Sequence, residues 1–341
     1  LSLHDALPIS CVINFDGAIG YLIGQPNKGM ANMFTFINES RLGVAIQGQA
    51  HMQAAYQKSL AYAKERLQMR AASRVLPDQA ADPIIAHPDV RRMLLMQKSF
   101  AEGGRMLNHL CGLYSDIAHR SSSVEEAERA STMLAVLTPI AKGFLTEVSM
   151  ESTQNGLQVL GGHGFIREWG LEQEYRDTRI TAIYEGTNTI QALDLLGRKI
   201  LASGGKILEP YIAEIDAFCA EHAGGEMAAY VKTVAAMKDE LLELTGTIGA
   251  RAMNGEADAV GAAAFDYLMY IGYFTLGWCW AKAAVTAQDA IKRGSTDTDF
   301  YQAKMSTAEF YFKRILPRAA LHEQTAGESS DSLMALESAG F

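Results

Sequence analysis

Cysteine is scarce in this 341-residue chain, and its four copies (Cys11, Cys111, Cys219 and Cys279) stand far apart with no C-x-x-C pair. That spacing excludes a disulfide framework and a cysteine-based zinc site, and it predicts four buried thiols in a reducing, cytoplasmic setting. Proline is rare too, at eight residues, and no β-rich run recurs at short intervals, which argues against an all-β sandwich. Basic charge is in deficit: 30 Lys and Arg against 39 Asp and Glu leave a formal charge of -9. A nucleic-acid binder needs a basic face to displace counterions, so general nucleic-acid binding is excluded. The uncharged stretch Tyr267 to Ala281 is fifteen residues long. A bilayer needs roughly 20 apolar residues, so this stretch reads as a buried bundle helix without stable membrane insertion.

What remains is a helical chain that is 48% hydrophobic and 20% charged, enough to bury a large core. Helical patterning predicts helices over 31–71, 88–120, 122–156 and 188–202, then 207–223, 226–253, 256–293 and 298–316. Pro77 and Pro83 mark an irregular excursion from Ala72 to His87, and Pro139 is expected to kink or interrupt its helix. Residues 317–341 read as a loosely packed tail. At the other end, Cys11 to Gly29 reads as strand and turn left from a larger sheet, and Leu1 to Ser10 as a non-native start.

The segment Arg179 to Gln191 (RITAIYEGTNTIQ) carries the chemistry. Arg179 to Tyr184 alternates β-branched and aromatic residues and predicts a short extended run. A helix follows, with Asn188 or Thr187 as N-cap and Gln191 completing a capping box with Asn188. Glu185 therefore lies on a turn before a helix N-terminus, where unpaired N–H groups favour negative charge. By itself that pattern also describes an ordinary surface glutamate.

The longer context is more specific. The run Gln158-Val-Leu-Gly-Gly-His-Gly-Phe-Ile-Arg-Glu168, then Glu174-Tyr-Arg-Asp-Thr-Arg-Ile180, then Ile183-Tyr-Glu-Gly-Thr-Asn188 resembles the C-terminal part of acyl-CoA dehydrogenases in order, spacing and residue type. Residues 205–341 are similar to the extra helical domain of a larger branch that includes methylthiopropionyl-CoA dehydrogenases. The resemblance implies a mainly α fold: a four-helix bundle over 31–203, an additional helical domain over 204–341, and a short β remnant over 11–30. It also implies a piece of a longer protein, without the family's N-terminal helical domain and most of its middle β-domain.

The implied activity is FAD-dependent α,β-dehydrogenation of an acyl-CoA, with electrons passed to electron-transfer flavoprotein in a homodimer or dimer of dimers. Glu185 matches the family's base. A carboxylate with a reference pKa of about 4.3 becomes a better base when apolar surroundings raise it. Gly186 matches a position that lets substrate approach the backbone. Thr187 and Thr189 match positions that touch the flavin. Arg66 matches the arginine that contacts the FAD diphosphate across a subunit interface, although Leu67-Gln68-Met69 and His87-Pro88 depart from the family's flanking pattern. Gln158, Gly161 and Gly162 match the segment facing the adenosine-phosphate part of a neighbouring subunit's FAD. Asn38 and Arg41 match an Asp-x-x-Arg pair lining the CoA side of the cleft, with Asn38 in place of the acid. Some relatives carry the base at the position of Ser40, which cannot serve. His163 reads as a loop histidine bonded to backbone. The competing expectations are a non-catalytic helical subunit of the same fold, and an acyl-CoA oxidase.

Overall fold

The computed structural model of this chain describes residues 14–340, so Leu1 to Ser10 and Cys11 lie outside the described residues. Residues 14–28 are exposed, with turns and no strand, because an extended segment is stable only when paired with another, and among the described residues no strand lies beside this one. The expected β remnant is therefore absent among the described residues.

Helix α1 (Gly29–Glu65), α2 (Pro88–Arg120), α3 (Val124–Leu160) and the shorter α4 (Leu171–Thr181) form the first bundle, with α3 packed against the other three. Helix α4 overturns the extended run predicted from Arg179. Leu171, Thr178 and Thr181 recur at helical spacing on one buried face, and the Thr178 hydroxyl meets that of Ser149 on α3 at 2.8 Å. Burial of that face overrides a weak local β preference.

Pro139 does not interrupt α3, contrary to expectation. A proline inside a helix strands the carbonyl four residues back. Here that carbonyl, on Ala135, accepts a hydrogen bond from Lys199 Nζ at 2.7 Å, so the helix continues without an unsatisfied acceptor.

Helix α5 (Asn188–Leu193) runs on as a π-helical segment, Asp194–Ile200. Helices α6 (Glu209–His222), α7 (Ala228–Met253), α8 (Ala259–Lys292) and α9 (Thr298–Phe310) follow. Only the start of the tail departs from the expected loose packing: α10 (Ala319–Gly327) packs on α8 and α7 with Ala319 and Ala326 buried, and Arg318 before it pairs with Glu151 of α3 at 2.7 Å, whereas residues 331–338 are exposed.

Every residue from Tyr267 to Ala281 is buried, so α8 is apolar on all sides and forms the axis joining the two halves. One continuous core runs from Ala45 on α1 to Ala326 on α10. The tyrosine hydroxyls on this axis are satisfied inside the protein: Tyr267 by Thr245 at 2.7 Å, and Tyr270 by the Met237 carbonyl at 2.9 Å. Helices α3 and α8 are long and apolar enough to cross a membrane, yet 78% and 72% of their apolar windows are buried within the protein.

Cys111 and Cys279 are buried free thiols whose burial pushes each up to about 12, whereas Cys219 is only half-buried, contrary to expectation. Among the described residues no cluster of His, Cys, Asp and Glu is suited to a metal ion.

Candidate active site

The turn between α4 and α5 is built around a non-glycine residue in the left-handed region: Glu185 has φ +54°, and Gly186 follows at +87°. Such a backbone persists only when its surroundings over-determine it. Here the carbonyls are held from within. Glu185 O accepts from Arg41 Nε at 3.3 Å and from Gln191 Nε2 at 3.1 Å. Gly186 O accepts from Lys142 Nζ at 2.7 Å and from Gln191 Nε2 at 3.4 Å.

By contrast, the backbone N–H groups of Glu185 and Gly186 have no hydrogen-bond partner among the described residues. The half-buried Glu185 carboxylate has neither a hydrogen-bond nor an ion-pair partner among them. The turn thus presents a free acceptor and two free donors on a rigid support.

Thr187 is the N-cap of α5, accepting from Ile190 N at 3.3 Å. The predicted capping box is not formed, because Gln191 turns its amide back to the two turn carbonyls. Asn188 is buried instead. Its Oδ1 accepts from Lys142 and from Thr146 Oγ1, each at 3.0 Å, and its Nδ2 donates to Glu147 at 2.8 Å. Thr189 is exposed.

Arg41 is almost fully buried and ties α1 to this region. It pairs with Asp194 at 3.6 Å, and its Nη1 donates to the exposed Asn38 at 3.3 Å. Burial alone would raise the Asp194 carboxyl, but the cations of Lys199 (3.2 Å) and Arg198 (2.6 Å) outweigh it and hold that carboxyl below the usual range. Lys142 is wholly buried. Burial, with the Arg41 cation nearby, pushes its ammonium down to about 8, against the opposing pull of Glu185 and Glu147.

The other predicted residues gather elsewhere. Arg66, Gln158 and Gly161 line one cleft of about 390 Å³ with Tyr62, Gln68 and His87. Gly161 ends α3 at φ +60°, and Gly162 beside it is exposed and opens a single helical turn, Gly162–Phe165. His163 is not bonded to backbone as expected: its Nδ1 meets the Tyr62 hydroxyl at 2.9 Å, and its ring stacks on Trp169. The structure therefore brings Glu185, Gly186, Thr187, Asn38 and Arg41 to one end of α1, and Arg66, Gln158 and Gly161 to the other. The 28 positions from Asn38 to Arg66 separate the two groups by about 40 Å at the helical rise of about 1.5 Å per residue.

Sequence reasoning missed Lys142, Asp194 and the inward role of Gln191. A usable signal existed for Lys142, the single charge between Ala130 and Thr146.

Residues 27–201 match the family described as acyl-CoA dehydrogenase, C-terminal domain, and residues 211–337 match acetyl-CoA dehydrogenase C-terminal like. The 3-methylmercaptopropionyl-CoA dehydrogenase of Ruegeria pomeroyi is 38% identical over 331 residues, covering 95% of this chain and 55% of that protein. The solved structure of Caenorhabditis elegans ACDH-11 in complex with C11-CoA superposes with a TM-score of 0.71 at 18% identity, over 92% of this chain and 48% of that one. An acyl-CoA dehydrogenase from Bacillus anthracis, complexed with FAD, superposes with a TM-score of 0.66 at 21% identity, over 92% of this chain and 53% of that one. The chain spans about half the length of the relatives it matches.

Proposed function

Since the chain belongs to the acyl-CoA dehydrogenase family, we propose that it supplies the base and part of the cofactor site for α,β-dehydrogenation of an acyl-CoA. One observation carries this reading: the Glu185 carboxylate is left without a partner on a turn whose carbonyls are tied inward and whose N–H groups are free. A catalytic base must be held in place yet unengaged.

In this reading the carboxylate takes the proton α to the thioester. The free Glu185 N–H donates to the thioester oxygen, which acidifies that proton by stabilising the charge that develops on oxygen. Gly186, having no side chain, lets the turn close on the Gln191 amide, which a Cβ there would meet at 2.8 Å. Thr187 and Thr189, exposed beside the base, are the residues we assign to the flavin side of the turn. A bound FAD would supply the acceptor for the hydride that leaves the β-carbon. Electron-transfer flavoprotein is the electron acceptor we propose.

The donor set at the other end of α1 fits the diphosphate of FAD: an exposed Arg66 guanidinium, with its fork of donors, beside Gln158 and the side-chain-free Gly161. The separation of about 40 Å is far longer than the short ribityl arm joining flavin to diphosphate. One FAD cannot reach both groups on one chain. This supports an assembly in which Arg66 of one copy serves Glu185 of another.

The test is Glu185→Gln in the FAD-loaded protein. Fold and flavin absorbance should be retained, while reduction of the flavin by acyl-CoA slows by at least about 10²-fold, the scale of a lost general base. Turnover near that of the wild type would refute the assignment.

A further inference from the structure

Lys142 has no part in the chemistry described above, yet its placement is unusual. It is wholly buried, within a helix run that is otherwise uncharged from Ala130 to Thr146. Burying an ammonium is strongly unfavourable unless specific acceptors compensate, and an aliphatic residue would fill the same space at no such cost. The acceptors here belong to the Glu185 turn. Nζ donates to Gly186 O at 2.7 Å and to Asn188 Oδ1 at 3.0 Å. Thr146 shares that amide oxygen, and Glu147 takes the amide NH2. The peptide group that follows Gly186 is thereby fixed to α3, and with it the left-handed backbone of Glu185.

The charges facing Lys142 are few. Arg41 on α1 opposes its cation, while Glu147 on its own helix and Glu185 on the turn favour it. Asp194, itself shared with Arg198 and Lys199, pairs with Arg41 and neutralises it in part. Glu147 gives one oxygen to Asn188, whereas Glu185 is free of partners, so Glu185 is the anion most open to the lysine's field.

We propose that Lys142 is a positioning residue for the Glu185 base, clamping the Gly186 carbonyl from inside the bundle and so holding the left-handed turn that carries the carboxylate. The proposal rests on the reading of Glu185 as base, but its central measurement does not need turnover. Coupling between two titrating groups is reciprocal, so removing the Glu185 charge must lower the midpoint of Lys142.

The experiment is a pH titration of the protein carrying ¹³C at the lysine ε-carbon, followed by NMR in wild type and in Glu185→Gln. The Lys142 signal is assigned by its absence in Lys142→Met or, where that variant does not fold, by elimination against Lys199→Arg. The wild-type signal should titrate near 8 and fall by at least about half a unit in Glu185→Gln, the direction set by losing a neighbouring opposite charge. An unchanged midpoint, or titration alongside the surface lysines, would overturn the proposal even if Glu185→Gln is inactive. Full activity in Glu185→Gln would instead remove the reading beneath it. In Lys142→Met that folds and binds flavin, kcat should fall at least about tenfold with KM nearly unchanged, and the alkaline limb of the rate near pH 8 should disappear. A limb that persists would also count against the proposal.

Discussion

A glutamate in the left-handed region costs its backbone about 1–2 kcal/mol relative to the right-handed form. Three side chains from three helices offset this at Glu185: Arg41, Lys142 and Gln191. The strain is local and so is its consequence, a carboxylate and an N–H held ready without partners. Gly186 shows how narrow the arrangement is. A Cβ there would lie 2.8 Å from Gln191 Nε2, on a backbone at φ +87°. Gly186→Ala should therefore destabilise the protein by about 1–2 kcal/mol in urea unfolding and displace the Gln191 amide from the Glu185 carbonyl. An unaltered midpoint would mean that the turn is not built as described. Lys142 also has a pH signature. Its folded-state value of about 8 lies below the ordinary lysine value, so the folded protein binds fewer protons there than the unfolded chain. Its contribution to stability is unfavourable below pH 8 and is relieved as pH rises from about 8 towards about 10.4.

At the scale of elements, the excursion between α1 and α2 decides where Arg66 stands. Its order comes from one buried acid. The Asp82 carboxylate accepts the N–H groups of Leu76 at 2.7 Å, Ala71 at 2.9 Å and Val75 at 3.0 Å, and pairs with Arg74 at 2.7 Å. These donors, the Leu76 N–H foremost, lower its carboxyl to about 2. The Asp82 backbone bonds to Gln68 and Met69, and Ile84 N donates to Arg66 O at 2.8 Å, which fixes the residues around the arginine. A depressed carboxyl stabilises the folded form above its unfolded value and ceases to do so as pH falls. Protection of the Ala71, Val75 and Leu76 amides from hydrogen exchange should therefore decline between about pH 4 and pH 2. In Asp82→Asn those amides should exchange on the order of tenfold faster at neutral pH, with α1 and α2 unaffected. Equal protection in that variant would show that the loop is held by other means. Pro139 illustrates the same scale from the other side, since a lysine 60 residues later completes the helix that the proline would have broken.

Across the whole molecule, α8 joins the two bundles by close approach. A Cβ on Gly272 would lie 2.3 Å from the Phe144 ring of α3, and one on Gly103 of α2 would lie 2.9 Å from Trp280 Nε1. Packing of this kind lets the α6–α10 half support α3, and hence Lys142, without contributing a residue to the turn. The distance between the two ends of α1 is what the proposed two-copy site rests on at this scale. If Arg66 serves a neighbouring copy, Arg66→Ala should bind FAD about 10-fold or more weakly, in keeping with a lost charged hydrogen bond. Mixing Arg66→Ala with Glu185→Gln chains under conditions of subunit exchange, at FAD low enough to leave Arg66→Ala unloaded, should then restore activity that neither variant has alone. Mixtures as inactive as their parents would place both groups on one chain's site and contradict the two-copy reading.

Much of this was legible in the residues. Glu185-Gly186-Thr187-Asn188 and Gln158 to Arg167 mark both halves of the proposed site through their resemblance to the family, since order and spacing along the chain can be read without the fold. The long helices followed from apolar spacing in the same way. Tertiary structure decided the rest. It made α4 a helix where alternation read as extended, carried α3 through Pro139, and folded the first part of the tail onto α8. It also brought Lys142, Arg41 and Gln191 to the same two carbonyls from positions far apart in the chain. Local patterns report propensity and spacing. Which buried donor meets which carbonyl depends on how helices pack, because a charge inside a bundle persists only where the fold provides its partners.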